Sequence, residues 1–220
     1  MIELKKASRI YTLGGETIKA LDNVDLSINR GEFLSIMGPS GSGKSTFLNL
    51  IGGLDKPDSG QVIVNGVDIT TLKDKKLSQF RNKQIGFVFQ AFHLQPMYTA
   101  LENIMLPLEF AKVKPKERVK RAMAILKMVG LEKRAKHKPS ELSAGQRQRV
   151  SIARALINEP NILLADEPTG NLDSKNGTMI IELLKNIIKQ REITIVMVTH
   201  DPVMAKMSDK IINIHDGRIK

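Results

Sequence analysis

The chain has 220 residues, and its 34 lysines and arginines against 23 acidic residues give a formal net charge of +11. This length suits one large domain, or a compact domain with a grafted lobe, and 41% apolar residues suffice for a sizeable core. The absence of cysteine excludes disulfides, thiolate zinc sites and a cysteine nucleophile.

The amino-terminal segment MIELKKASRI has neither the apolar core nor the cleavage site of a secretory signal. No run in the chain approaches the ~18 apolar residues needed to cross a bilayer. We therefore expect a soluble, cytoplasmic protein whose positive charge serves an acidic partner, an anionic surface or an anionic ligand. Much of that charge lies in residues 112–138, which contain eleven basic and two acidic residues.

Short apolar strands alternate with helical stretches, which predicts an α/β fold with a mainly parallel sheet. Residues 1–31 and 60–70 are strand-like and rich in turn residues, which predicts an antiparallel side sheet. We expect residues 91–157 to form an inserted helical lobe on a core of residues 1–90 and 158–220. The main predicted elements are, in chain order, Phe33–Met37 (strand), Ala100–Ala111 and Lys116–Val129 (helices), a helix after Ser143, and the strands Ile162–Ala165 and Ile193–Val198.

Three of these strands lead into polar residues. The first continues into GPSGSGKST, the second into Asp166 and Glu167, and the third into Thr199 and His200. Ligands of open α/β sheets bind beyond the carboxyl ends of the strands, so we expect these three ends to converge on one site.

The segment after the first strand matches GxxxxGK[ST] at every fixed position. Glycines let backbone N–H groups surround the β- and γ-phosphates, and the following helix N-terminus adds positive potential. Lys44 supplies a charge for the phosphates, and the Ser45 hydroxyl is a ligand for Mg²⁺. An ordinary strand-to-helix turn is the alternative, which the full match in this context disfavours. The predicted nucleoside triphosphate site comprises Gly38, Pro39, Ser40, Gly41, Ser42, Gly43, Lys44, Ser45 and Thr46.

The ends of the other two strands supply candidate catalytic groups. Asp166 is placed to hold Mg²⁺ through water, and Glu167 to polarise an attacking water. His200 is a candidate for contacting the γ-phosphate and that water. The alternatives are that the two acids only cap the strand and that His200 has a structural role.

These residues, together with the motifs below, make the chain resemble the ATP-binding subunit of an ABC transporter over nearly its whole length. Gln90 in GFVFQ is similar to the Q-loop, residues 142–146 (LSAGQ) to the LSGGQ signature, and Asp173 in NLD to the D-loop. Tyr11 stands where the family has its adenine-stacking aromatic, although a packed aromatic at a strand end is the alternative. Six motifs in the family's order make the resemblance specific.

The resemblance implies a RecA-like phosphate-loop core, ATP as the nucleotide, and catalytic roles for Lys44, Glu167 and His200. It further implies that Ser45, Gln90 and Asp166 hold Mg²⁺. By the same resemblance, two copies pack head to tail, and each ATP lies between one subunit's phosphate loop and the other's signature. The signature residues that would face the second ATP are Ser143, Ala144, Gly145 and Gln146.

The signature also has an interpretation from its own residues. Ser143 precedes an amphipathic helix, and such a helix start can bind phosphate through the hydroxyl and backbone N–H groups. Because the chain already has a phosphate loop, a second anion site suggests a second nucleotide; the alternative is a simple N-cap. Ala144 replaces the family's usual glycine, so we expect a less free backbone there. We expect ATP sandwiching to survive, because Ser143, Gly145 and Gln146 remain; a weakened or slower closure is the alternative.

ADEPTGNLD, LDKPDSG, RNKQIGFVFQ and TALENIMLPL resemble one branch of the family, the ATPases of lipoprotein-releasing, macrolide-export and peptide-antibiotic-resistance transporters. The branch implies a transmembrane permease partner and attachment to the cytoplasmic face of the membrane through it. We expect the apolar residues of Phe92–Tyr98 to form the groove for this partner; the alternative is that they belong to the lobe core.

The basic stretch 112–138 is interpreted as a helix with a solvated charged face and a core face formed by Val119, Ala122, Ile125, Leu126 and Val129. The anionic leaflet or an acidic loop is the alternative partner for the charged face. Nucleic acid is not expected, because none of the nine aromatic residues interleaves with this stretch.

Three other functions compete with this resemblance. A signalling GTPase needs NKxD, whereas Asn82-Lys83 continues with Gln84-Ile85. A soluble ABC-type ATPase acting on nucleic acid or the ribosome is the main alternative, but a single cassette without cysteines lacks the insertions, zinc motifs or second cassette of those proteins. A non-enzymatic regulator is disfavoured because Glu167 is present.

Overall fold

A computed structural model describes the backbone of residues 1–220 and the side chains of residues 1–12 and 14–220. The strands are β1 Ile2–Leu13, β2 Glu16–Ile28, β3 Phe33–Met37, β4 Ser59–Val64, β5 Val67–Asp68, β6 Ile85–Phe89, β7 Ile162–Asp166, β8 Thr194–Val198, β9 Lys210–His215 and β10 Arg218–Ile219. The α-helices are α1 Lys44–Ile51, α2 Asp74–Gln84, α3 Ala100–Phe110, α4 Pro115–Met128, α5 Ala144–Leu156, α6 Ser174–Arg191 and α7 Pro202–Ala205.

The central sheet has six strands in the order β10-β9-β3-β8-β7-β6. All neighbours pair in parallel except β9 and β10, which form an antiparallel pair. The residues of β8 and nearly all of β3 and β7 are buried, as expected for strands covered on both faces. The parallel register aligns Ile36 and Asp166 with Val198, so the carboxyl ends of β3, β8 and β7 lie at one edge, as the sequence predicts.

The predicted antiparallel side sheet is also present, in the order β2-β1-β4-β5. Its hairpin turns fall at Gly14-Gly15 and Asn65-Gly66. Its buried side chains, together with those of α1, cover one face of the central sheet in a single hydrophobic cluster. This layer brings β2 beside the phosphate loop.

The other face of the central sheet shares a second cluster with α6 and the helical lobe of α3, α4 and α5. The lobe therefore packs onto the core through a common interior. The prediction that Val119 lies on the core face of α4 is wrong, because its side chain is 43% exposed. Ala122, Ile125 and Leu126 on the same helix are buried, as predicted. Among the helices that the structure describes, none combines the length and hydropathy required to span a membrane.

Candidate nucleotide-binding site

The carboxyl edge of the central sheet opens onto a cavity of about 490 Å³. The phosphate loop follows β3, Glu167 follows β7 and His200 follows β8, so the cavity unites the three strand ends. Ala20 of β2 forms part of its wall. The complete lining consists of Tyr11, Ala20, Gly38, Ser40, Gly41, Gly43, Lys44, Ser45, Thr46, Glu167, Val198 and His200.

The phosphate loop needs glycine at two positions for steric reasons. Gly43 caps α1 with φ of 105°, and a Cβ added there would overlap the carbonyl oxygen of Ala20. Gly38 has φ of 149°, and a Cβ there would overlap the carbonyl oxygen of Ile214. The loop is therefore held between β2 and β9, and only glycine permits this close backbone approach.

Lys44 is the first residue of α1 and is almost fully buried. Its Nζ donates to the carbonyl oxygens of Gly38 at 3.0 Å and Pro39 at 2.7 Å. Ser45 and Thr46 follow it on the first turn and line the cavity. The ammonium group, the helix N-terminus and the loop amides together create an anion site.

Asp166 ends β7, and burial, reinforced by the neighbouring Glu167 carboxylate, raises its pKa against the opposing effect of Lys44. Glu167 has φ of 45°, and its backbone N–H donates to the carbonyl oxygen of Val198 at 3.0 Å. A glutamate in this uncommon conformation is a costly feature typical of functional sites. Its Oε1 lies 3.1 Å from Nδ1 of His200, so the two predicted catalytic side chains are in contact.

Tyr11 lines the cavity on the side of the antiparallel sheet. Its hydroxyl donates to Asp55 at 2.8 Å, and the guanidinium carbon of Arg9 lies 4.8 Å from the ring centroid. The ring is therefore fixed by partners on its own sheet and on the loop after α1. Its adenine-stacking role stays a prediction.

Gln90 and the signature residues 142–146 do not line this cavity. Gln90 follows β6, and its backbone carbonyl accepts from Nδ2 of Asn171 at 2.8 Å. Ser143 caps α5, with its hydroxyl accepting from the N–H of Gln146 and its own N–H donating to the Gln146 side chain at 3.0 Å. Asp173 caps α6 and accepts from the N–H of Asn176, the hydrogen bond that lowers its carboxyl pKa most.

Ala144 is the first residue of α5 and has no positive φ in the described backbone. Alanine suits that helical conformation, so the backbone restriction expected from the sequence does not arise in the free subunit. Gly145 is the closely packed position, since a Cβ there would lie 3.1 Å from Oδ1 of Asn176. The signature helix and α6 are thereby in contact next to both predicted motifs.

Two contributors to the site, Ala20 and Gly217, carry no signal in the sequence. Ala20 lines the cavity, but an alanine within a strand carries no chemical signal. The carbonyl oxygen of Ser42 accepts from the N–H of Gly217 in the β9–β10 turn at 3.0 Å, a contact between distant segments. Fold and site together define a phosphate-loop nucleotide-binding protein with a paired acid and histidine at the phosphate end.

Comparisons with known proteins agree with this class. The family model described as ABC transporter matches residues 21–170. The uncharacterized ABC transporter ATP-binding protein MJ0796 of Methanocaldococcus jannaschii is 53% identical over 224 residues, covering 100% of this chain and 95% of that protein. The lipoprotein-releasing system ATP-binding protein LolD of Bacteroides thetaiotaomicron is 50% identical over 204 residues, covering 93% of this chain and 94% of that protein.

A solved structure, the dimeric post-hydrolysis state of the MJ0796 cassette bound to ADP and Pi, matches with a TM-score of 0.92 at 51% identity. It covers 100% of this chain and 97% of that chain. The protein thus belongs to the ABC transporter family, as an ATP-binding and ATP-hydrolysing subunit. The predicted family, fold class and activity are confirmed, and the alternative of a nucleic-acid or ribosome ATPase is not favoured.

Proposed function

We propose that this subunit works as a head-to-tail homodimer whose ATP-dependent closure drives a permease of the lipoprotein-release, macrolide-export and peptide-resistance branch. The observation that carries the proposal is the cavity that unites the phosphate loop, Glu167 and His200. LolD and the dimeric MJ0796 cassette support the branch and the dimer respectively. Through the permease, the subunit would act at the cytoplasmic face of the membrane.

The proposed chemistry assigns a separate task to each cavity residue. Lys44 and the loop amides bind the phosphates, while Glu167 polarises water and accepts its proton as the γ-phosphoryl group leaves ADP. His200 contacts Glu167 directly, so it orients the carboxylate and helps to hold the reacting end. Tyr11 supplies a face for the base.

The residues present also fit Mg²⁺. Ser45 lines the cavity, and the pKa of Asp166 is raised first by burial and then by the adjacent Glu167 carboxylate, so a divalent cation there would stabilise the ionised form. We propose that Ser45 and Asp166 hold the ion, with Gln90 reaching it after the Q-loop moves. Bound Mg²⁺ would neutralise charge on the phosphates during transfer.

The dimer is proposed because the signature lies outside its own subunit's cavity and presents an exposed serine. Ser143 is exposed at the start of a 13-residue helix, whose N-terminus favours an anion. The second copy would place Ser143, Ala144, Gly145 and Gln146 against the first copy's nucleotide. Asp173 lies close to this surface, because its hydrogen-bond partner Asn176 packs on Gly145.

Glu167→Gln and Lys44→Ala together test these roles. Glu167→Gln should bind ATP, lose turnover and accumulate as a dimer in size-exclusion chromatography with light scattering. Lys44→Ala should lose ATP affinity and stay monomeric. Brisk hydrolysis by Glu167→Gln would remove Glu167 from its role, and unchanged ATP binding by Lys44→Ala would contradict the phosphate-loop assignment.

The permease contact is proposed for a groove of about 540 Å³ between α2, β6, α3 and α5. Its apolar wall includes Leu54 and Phe110, and Phe110 is 80% exposed. Arg154 lines the groove and donates to the carbonyl oxygen of Phe92 at 2.8 Å, which joins the groove to the segment Phe92–Tyr98.

Within that segment the residues differ in burial. Leu94 packs against the lobe core, as the alternative interpretation held, whereas Met97 is 74% exposed. If the partner binds here, Phe110→Asp and Met97→Asp should both reduce copurification with the membrane subunit. Val67→Asp, at an exposed position of the antiparallel sheet, is the matched control. Full copurification of both Phe110→Asp and Met97→Asp with the membrane subunit would refute the assignment.

A further inference from the structure

Tyr11 lies in a hydrogen-bond network built on two carboxylates, Asp55 and Asp58. Asp55 accepts from Nε of Arg9 at 2.9 Å and from the Tyr11 hydroxyl at 2.8 Å. Asp58 accepts from Nη1 of Arg9 at 3.0 Å and from the N–H of Ile10 at 2.6 Å. Both the ring and the backbone before it are therefore fixed by the same two carboxylates.

These carboxylates belong to the loop that directly follows α1. The N–H groups of Leu54 and Asp55 both donate to the carbonyl oxygen of Asn49, at 2.9 and 3.2 Å, so the start of this loop is tied to the helix. Helix α1 begins at Lys44, and its eight residues span about 12 Å. The helix thus has the phosphate-binding lysine at one end and the anchor of Tyr11 beyond the other.

Arg9 and Asp55 are each only about a quarter exposed, so their ion pair is partly protected from solvent. The guanidinium carbon of Arg9 lies 4.8 Å from the centroid of the Tyr11 ring, which occupies one face of the ring. Tyr11 also lines the nucleotide cavity. The opposite face is then the one available for stacking, and base stacking needs one open aromatic face.

We propose that Arg9, Asp55 and Asp58 are positioning residues that fix Tyr11 relative to α1 and so set the distance between the base and phosphate subsites. The proposal rests on the nucleotide site proposed above and deepens it. A fixed platform reduces the ordering cost of binding a nucleotide. The network therefore contributes to recognition of the base, and leaves recognition of the phosphates unchanged.

The test compares ATP with tripolyphosphate, which has phosphates and no base, by calorimetry on the full chain. Asp55→Ala removes the shared acceptor, Tyr11→Phe removes only the hydroxyl, and Tyr11→Ala removes the ring. Asp25→Ala is the matched control, because its carboxylate accepts from the Lys6 N–H outside the cavity.

We expect the Kd of ATP to rise about 3- to 10-fold in Asp55→Ala and somewhat less in Tyr11→Phe, as loss of about one part-buried bond implies. The double variant Asp55→Ala/Tyr11→Phe should bind ATP no more weakly than Asp55→Ala alone, because both changes break the same contact between Tyr11 and Asp55. Tripolyphosphate affinity should stay within about 2-fold of wild type in every variant, and Asp25→Ala should match wild type for both ligands.

Each other outcome overturns a distinct claim. Weakened ATP binding in Tyr11→Ala alone would refute the network while preserving the stacking role. Unchanged ATP binding in Tyr11→Ala would refute the stacking role itself. Equal loss of ATP and tripolyphosphate in Asp55→Ala would show that the loop supports the phosphate site instead. If Asp55→Ala does not fold, Tyr11→Phe, which keeps the ring, decides the question.

Discussion

Gly43→Ala offers a direct test of how the phosphate loop is held. Gly43 has φ of 105° at the start of α1, and the added Cβ would overlap the Ala20 carbonyl oxygen and lie 3.2 Å from Cδ2 of Leu21. Gly41 is a matched comparison in the same loop, because its φ is 77° and no heavy atom lies within 4 Å of an added Cβ. The two substitutions share backbone strain and differ in the steric overlap.

The backbone strain of alanine at a left-handed φ costs about 1–2 kcal/mol at either position. At Gly43 the overlap with a strand backbone, which moves less readily than a side chain, adds about 1–3 kcal/mol. For a chain of this size that difference corresponds to a melting temperature about 2–12 °C lower for Gly43→Ala than for Gly41→Ala.

The assay is thermal and urea unfolding of both variants without nucleotide, followed by ATP titration of the folded proteins. Gly43→Ala should also weaken ATP binding, because relief of the overlap displaces the amide that begins α1 beside Lys44. Equal stability losses in the two variants would refute the claim that β2 confines the loop at this point.

Two further predictions follow from the charges. Asp166→Asn should raise the melting temperature without Mg²⁺, because burial and the adjacent Glu167 destabilise the ionised Asp166 carboxylate. The same variant should lose the extra stabilisation that ATP with Mg²⁺ gives the wild type. A lower melting temperature in metal-free buffer would contradict the first expectation. The ion pair between Arg218 and Asp22, at 2.7 Å, joins the carboxyl-terminal hairpin to β2 and lowers the pKa of Asp22. The contribution of this ion pair to the stability of the folded protein is therefore present at neutral pH and is lost as the pH falls through the lowered pKa. Arg218→Ala should therefore destabilise the protein at pH 7 with a difference that vanishes at strongly acidic pH, Arg218→Lys serving as control; a difference independent of pH in urea unfolding would exclude the ion pair as its cause.

The motifs of this chain by themselves indicate a nucleoside triphosphate site. GPSGSGKST, the Asp166-Glu167 pair and His200 each follow an apolar run that suits a buried parallel strand, so convergence at one sheet edge follows from strand polarity. Strand-like, turn-rich segments likewise predicted the antiparallel sheet, and a run of helical stretches predicted the helical lobe. These features are local in sequence, and local patterns carry them.

Only the tertiary structure decided how the site is supported. Contacts such as Ala20 with Gly43, Gly217 with Ser42, and Tyr11 with Asp55 join residues far apart in the chain, and no periodicity or motif encodes such pairings. Val119 is exposed rather than part of the core. An amphipathic pattern shows which face of a helix is apolar, but it does not show how much of that face neighbouring elements bury. The sequence indicated which groups are candidates for the chemistry, and packing between distant segments determined where each group is held.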